Sequence, residues 1–227
     1  MSKRATTYIG LTVAVGSVFL ADSLSRESSF DNLVAFVCYF ALAMLTSVWK
    51  VRLPGITGTI SVNFLFVLVA IAAFSFSETV ILAGAACIVQ CMWRTKRRPK
   101  LVQVAFNVAT LAISAGIAYR AAHAIAGRFD ENLPVLLALA TCIYFLCNTL
   151  LISGVLALLE SKPLLTVWKQ CYLWSFPYYL AGAAIAGVIV YYGRSAGWVM
   201  PLCLLPLMWM IYTFYRTWVH RLTEEVK

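Results

Sequence analysis

The sequence predicts an all-α fold, a polytopic transmembrane helical bundle of about eight spans with both termini on the cytoplasmic side. Three observations predict it. The chain is 62% apolar and 12% charged, with a mean hydropathy of +0.85. Its apolar residues fall into eight segments joined by short connections, and its basic residues alternate from loop to loop. An ordinary soluble domain is about 45–50% apolar and about 25% charged, so this chain lacks the polar residues to cover its apolar surplus in water. Spanning a hydrocarbon core of about 30 Å takes about 20 apolar residues at about 1.5 Å of rise each. The 227 residues thus hold about eight tightly connected spans and leave no room for a separate soluble domain.

The first segment, 7–24, follows Met1-Ser2-Lys3-Arg4 and has a signal-peptide outline, with a small-residue region near Ala21. Everything downstream is also apolar, so an uncleaved first helix is expected. The second segment covers 33–49. The third and fourth, 57–76 and 78–93, form a hairpin turning at Phe74-Ser75-Phe76-Ser77-Glu78. The fifth and sixth, 101–125 and 133–159, are the longest. The seventh, 171–192, carries Ala181-Gly182-Ala183-Ala184-Ile185-Ala186-Gly187, a small-residue run suited to close helix packing. The eighth is 197–215. Residues 1–215 therefore form the transmembrane domain and 216–227 the cytoplasmic start of a C-terminal helix. That tail has no helix breaker, and Val219, Leu222 and Val226 form a helical stripe.

Charge fixes the orientation. With the N-terminus inside, the cytoplasmic side receives Lys3, Arg4, Lys50, Arg52, Arg94, Lys96, Arg97, Arg98, Lys100, Lys162, Lys169, Arg216, Arg221 and Lys227. The outer side receives only Arg26, Arg120, Arg128 and Arg194. This is the positive-inside pattern, and a missed span would invert every later loop. Trp49, Trp93, Trp168, Trp198 and Trp218 lie near span ends, where interfacial anchors belong. The net charge of +9 is therefore read as topology and contact with anionic membrane lipids, not nucleic acid. The expected location is a membrane crossed several times by the chain. Seven cysteines, odd in number and all in apolar stretches, read as buried reduced thiols without a disulfide framework.

Mid-membrane chemistry is sparse. Asp22, Glu27, Asp31, Glu78, Asp130 and Glu131 sit at the outer edge, and Glu160, Glu224 and Glu225 at the inner one. His123 and His220 are assigned to opposite faces and cannot share a metal. A proton-coupled carrier keeps an ionisable group in mid-membrane, and an enzyme needs clustered acid/base groups or metal ligands. Neither pattern is present in the sequence, so no enzyme, metal or cofactor is expected.

Amides and hydroxyls instead gather in the cytoplasmic half. Thr57, Thr59, Ser61 and Asn63 enter the third segment behind Pro54, Gly55 and Gly58; Gln90 ends the fourth. Gln103 and Asn107 are one helical turn apart on the fifth, and Asn148 lies on the sixth. Two readings stand. The amides either tie helices together, at about 0.6–2 kcal/mol each, or line a pocket for a small uncharged or zwitterionic ligand or a lipid headgroup. The loop bearing Arg94, Lys96, Arg97, Arg98 and Lys100 sets topology, and it also suits a phospholipid headgroup or an acidic partner.

The runs Leu53-Pro54-Gly55-Ile56-Thr57-Gly58-Thr59-Ile60-Ser61-Val62-Asn63-Phe64 and Arg97-Arg98-Pro99-Lys100-Leu101-Val102-Gln103-Val104-Ala105-Phe106-Asn107 carry a resemblance. With Glu78, Val89-Gln90-Cys91-Met92-Trp93 and the tail Tyr215-Arg216 to Glu224-Glu225, they resemble bacterial membrane input domains. Such domains precede diguanylate cyclases or HD-type cyclic-di-GMP phosphodiesterases. The resemblance implies a sensor whose last helix feeds an enzyme, but it implies no ligand. The 227 residues contain no catalytic domain, so the expectation is a sensor separated from its output or a stand-alone relative. The leading functional expectation is a sensory or regulatory module. It binds a small ligand or lipid and relays through its C-terminal helix to a cytoplasmic or membrane partner. A small-solute transporter, or the substrate-binding membrane subunit of one, is the alternative, followed by a structural subunit of a membrane complex.

Overall fold

A computed structural model describes residues 2–25, 32–52, 59–93, 99–129 and 132–196, together with 206, 209, 210, 212–214, 217 and 221. In chain order the elements are α1 (Lys3–Ser25), α2 (Leu33–Thr46), β1 (Lys50–Arg52), β2 (Thr59–Ser61), α3 (Phe64–Ala73) and α4 (Phe76–Met92). They continue as α5 (Leu101–Ala126), α6 (Leu133–Glu160), α7 (Leu164–Cys171) and α8 (Phe176–Ala196), with short 3₁₀ turns after α5 and before α8.

The helical class stands, and the described residues do not support eight full spans. Among the described residues four helices are long and apolar enough to cross a membrane: Lys3–Ser25, Leu101–Phe129, Leu133–Glu160 and Phe176–Gly193. The helices α2, α3 and α4 have 14, 10 and 17 residues. Over residues 59–63 the third apolar segment is not helical. Thr59 and Ile60 are β-branched, which suits a strand, and β2 pairs antiparallel with β1 in the register Lys50↔Ser61, Val51↔Ile60, Arg52↔Thr59. Only after Asn63 does α3 start, so about 15 Å of helix replaces a full span. The eighth segment lies largely outside the described residues.

Burial explains the arrangement. Every residue from Phe64 to Ile71 is buried, so α3 is apolar on all sides because helices surround it. It packs on α2, α4, α5, α6 and α8. The long helix α5 packs on α1, α4 and α6. Helix α1 is the reverse of a soluble amphipathic helix. Its buried positions are the small residues Ala5, Thr12, Gly16 and Ser23, which share one face, whereas Leu11, Val18 and Leu24 are 64%, 67% and 73% exposed. Small residues inward and large apolar residues outward are what a helix shows when its outer solvent is lipid. The close approach is literal at Gly16, where any Cβ would collide with the backbone of Ala109, and at Gly116, which seats the Phe19 ring.

The α3–α4 turn defines one end of the bundle and the β1–β2 hairpin the other. At the turn end Ser75 caps α4: its hydroxyl accepts from Glu78 N, and the Glu78 carboxylate accepts from Ser75 N at 2.8 Å. Asn32 and Asn132 cap α2 and α6 one way, their side-chain oxygens accepting from Ala35 N and Val135 N. Asp22 at the end of α1 pairs with Arg120 of α5, whose guanidinium also lies 4.4 Å over the Phe76 ring. At the hairpin end α6 closes on Ser161, which adopts a left-handed φ of 55°. The short α7 that follows is amphipathic. Val167 is buried, Leu165 and Lys169 are exposed, and the Trp168 indole donates to the Thr149 hydroxyl of α6 at 2.8 Å.

Candidate functional site

The polar residues of interest enter from the hairpin. Ser61 Oγ accepts from Asn63 N at 3.2 Å, which turns the chain out of β2 and into α3. Asn63, only 3% exposed, occupies the N-cap position of α3 without a capping side-chain bond. Its amide reaches across to α4 instead and donates to Gln90 Oε1 at 3.2 Å. On α4, Cys87 and Cys91 are one turn apart with their sulfurs 4.0 Å from each other. Asn107 of α5 donates from Nδ2 to Cys91 Sγ at 3.4 Å.

The other half of the cluster lies between α6 and α8. Asn148 Nδ2 donates to the Tyr179 hydroxyl at 3.5 Å, and Asn148 Oδ1 is buried without a hydrogen-bond partner. The Tyr179 ring packs against Phe64 at 4.5 Å between centroids, against Phe145 at 5.1 Å and against the buried Tyr144 at 6.3 Å. Phe64 immediately follows Asn63, so an aromatic layer joins the two halves. Gly182 permits this layer, since a Cβ there would collide with the Phe64 ring. Five helices thus place neutral amides, thiols and phenols at one end of the bundle.

The remaining residues singled out in the sequence do not join this cluster. Gln103 is exposed and faces away: its Oε1 accepts from Lys100 N at 3.0 Å and so caps the start of α5. It does not share the Asn107 cluster, because a capping glutamine at the third position bends back over the helix end. Thr59 lies in β2 opposite Arg52. Ser61 serves the turn. Thr57, Arg94, Lys96, Arg97 and Arg98 lie outside the described residues, and Lys100 sits at the N-cap position of α5.

Sequence reasoning misses Tyr179 and Tyr144, which carry no signal beyond being aromatic residues in apolar segments. It also passes over Cys87 and Cys91, whose four-residue spacing on one helix face is the signal that could have found them. A third omission is a ring cluster at the base of the hairpin. Trp49, directly before β1, packs on Trp209 at 5.1 Å and on Tyr212 at 5.9 Å, and those two rings lie 5.4 Å apart.

The titratable groups of the turn end are engaged elsewhere. His123 bonds the Ile71 carbonyl at 2.8 Å and stacks on Tyr119 at 4.4 Å, holding α5 to the end of α3. Among the described residues no group of three or more His, Cys, Asp and Glu side chains is placed to hold a metal ion. The hairpin-end cluster offers neutral hydrogen-bonding groups and two thiols.

Comparison with known proteins gives one match. The family model described as MASE9 matches residues 7–217. No curated protein and no solved structure matches the chain.

Proposed function

Because the chain belongs to the MASE9 family of membrane-associated sensory domains, we propose that it is a multi-pass sensor of the bacterial inner membrane, with both termini cytoplasmic. It takes a small neutral or zwitterionic ligand, or a lipid headgroup, among Asn63, Gln90, Asn107, Asn148 and Tyr179. It relays occupancy to a cytoplasmic output through its C-terminal helix. The resemblance to bacterial membrane input domains implies an output of the cyclic-di-GMP enzyme class.

One observation carries the ligand reading: the buried Asn148 Oδ1, an acceptor without a donor. Leaving such a group unsatisfied costs about 1–3 kcal/mol, and a ligand hydroxyl or ammonium recovers that cost. The orientation is supported by the bundle ends. Lys3, Arg4, Lys100, Lys162 and Lys169 belong to the hairpin end, while Arg120 and Arg128 belong to the turn end. The basic run Arg94, Lys96, Arg97, Arg98 and Lys100 then meets the anionic cytoplasmic leaflet. The relay is supported by the Trp49, Trp209 and Tyr212 rings, which link the base of the hairpin to the C-terminal segment. A displacement at Asn63 moves the hairpin, and the hairpin carries Trp49. A relay also requires two arrangements with different ligand affinity.

The test compares small molecules retained by the purified chain, by native mass spectrometry, in wild type, Asn148→Leu and Trp49→Ala. A species lost in Asn148→Leu but kept in Trp49→Ala is expected, and stripping it from the wild type, but not from Trp49→Ala, is expected to alter hydrogen exchange at residues 206–221. Proteoliposome uptake that survives removal of 216–227 would make the chain a carrier and sink the sensory reading.

A further inference from the structure

The pair Cys87 and Cys91 adjoins the proposed ligand site at Asn107, and the amide ligand reading makes no use of either thiol. Both thiols lie on one face of α4 with sulfurs 4.0 Å apart, and Cys91 meets α5 at Asn107. Cys87 is 2% exposed, while Cys91 is half-buried and nearer the hairpin end. Asn107 supplies an N–H to Cys91 Sγ at 3.4 Å. That is the outer-shell donor that orients a metal-bound sulfur and lowers its charge density.

The geometry points to a two-coordinate site for a soft monovalent cation of the Cu(I) or Ag(I) type. Zinc is a poor fit, because structural zinc takes four ligands and, among the described residues, only two thiols converge here. Two thiolates are what soft monovalent ions select. A disulfide fits the helix less well. Side chains four apart on a helix have Cβ atoms about 5–6 Å apart, whereas a disulfide needs about 3.5–4.5 Å. A metal–thiolate bond of about 2.3 Å, as for zinc, needs a sulfur separation of up to about 4.6 Å. The present 4.0 Å reaches that by small rotations of the two side chains. On binding, two S–H bonds break, two metal–sulfur bonds form, two protons leave, and the bridged pair carries one net negative charge. No oxidant or reductant takes part.

The proposal shares only Asn107 with the amide ligand reading, and its test keeps the two apart. The probe is Ag(I) added to the reduced full-length chain in detergent, with a competing thiol chelator and metal-to-protein ratio as readout. One Ag(I) per chain is expected in wild type. It is expected equally in the variant that replaces Cys38, Cys142, Cys147, Cys171 and Cys203 with serine, and in Asn63→Leu. Binding is lost in Cys87→Ser and in Cys91→Ser, with Cys87→Ala as a second variant should serine disturb the fold. Asn107→Leu weakens it by about 10–100-fold, the usual cost of an outer-shell donor. Retention of Ag(I) by the Cys87→Ser/Cys91→Ser double variant, or its loss from the five-serine variant, overturns the assignment. So does isolation of a Cys87–Cys91 disulfide from the reduced preparation.

Discussion

The two ends of the bundle satisfy their polar groups in opposite ways. At the turn end partners are local or lie at adjoining helix ends: Ser75 with Glu78, Arg120 with Asp22, and His123 with the Ile71 carbonyl. At the hairpin end the partners are neutral side chains drawn from five helices, as in Asn63 with Gln90, Asn107 with Cys91 and Asn148 with Tyr179. There the Asn148 Oδ1 acceptor is left over. The first pattern fixes helix ends. The second leaves a surplus of hydrogen-bonding capacity where a ligand has something to add. In a bundle with little ionisable chemistry between its ends, that asymmetry locates the region able to respond.

Both ends depend on a shared seam, so the largest effect belongs there. Gly16→Leu is expected to cost about 3 kcal/mol or more, at the upper end for overpacking, because the added atoms meet the Ala109 backbone and not a movable side chain. Gly10→Leu, with open space around its Cβ position, is the control and is expected to unfold as wild type does. Thermal unfolding in detergent followed by helical circular dichroism measures both. Equal unfolding of the two variants would mean that α1 does not hold the bundle together through α5.

At the turn end, Glu78→Ala removes the acceptor of Ser75 N and half of a reciprocal cap. The expected loss is about 1–2 kcal/mol, with Glu78→Gln recovering most of it because a glutamine oxygen accepts the same bond. Any lost retention of a small molecule in Glu78→Gln would contradict the division of labour between the ends.

Much of this frame is legible in the sequence. The apolar runs 33–49, 78–93, 101–125 and 133–159 match α2, α4, α5 and α6 to within about three residues. Their ends are marked by residues whose physics is local, such as Ser75, Asn132 and Ser161. The run 57–76 misleads because hydropathy does not separate an apolar strand plus a short enclosed helix from a single span. Both are simply apolar, and only the enclosure of α3 by its neighbours distinguishes them. The run 171–192 begins five residues early, since the 3₁₀ turn Leu173–Ser175 is as apolar as the helix it precedes. Of the candidate site, the amides Asn63, Gln90, Asn107 and Asn148 are legible as polar residues out of place in apolar segments. Their partners are not. Asn63 meets Gln90 across 27 residues and Asn148 meets Tyr179 across 31, distances over which periodicity says nothing. Helical spacing alone groups Gln103 with Asn107, and the competing demand of the α5 N-terminus wins.

Asn63→Leu tests whether the hairpin end also serves stability. It removes one interhelical hydrogen bond, worth about 0.6–2 kcal/mol in lipid, and takes away the donor that reaches Gln90 Oε1. A modest fall in unfolding midpoint is expected, below that of Glu78→Ala. No fall at all would mean that the Asn63–Gln90 bond forms only when something else orders it.

The smallest stability effect, and the one that most sharply separates the two ends, is expected from Asn148→Leu. The substitution gives up a long 3.5 Å bond to Tyr179 but also removes the buried acceptor that nothing satisfies. Deleting an unsatisfied buried group returns about 1–3 kcal/mol, while the buried Tyr179 hydroxyl left without its donor costs a similar amount. The two nearly cancel, so the unfolding midpoint should stay level or rise, even as retention of a small molecule is lost. A side chain whose removal costs function and not stability is present for a ligand. If Asn148→Leu instead destabilises as much as Asn63→Leu does, then Asn148 ties α6 to α8 just as Asn63 ties α3 to α4. The hairpin end would then be a second way of fastening helices, and the contrast with the turn end would reduce to neutral amides in place of charged groups.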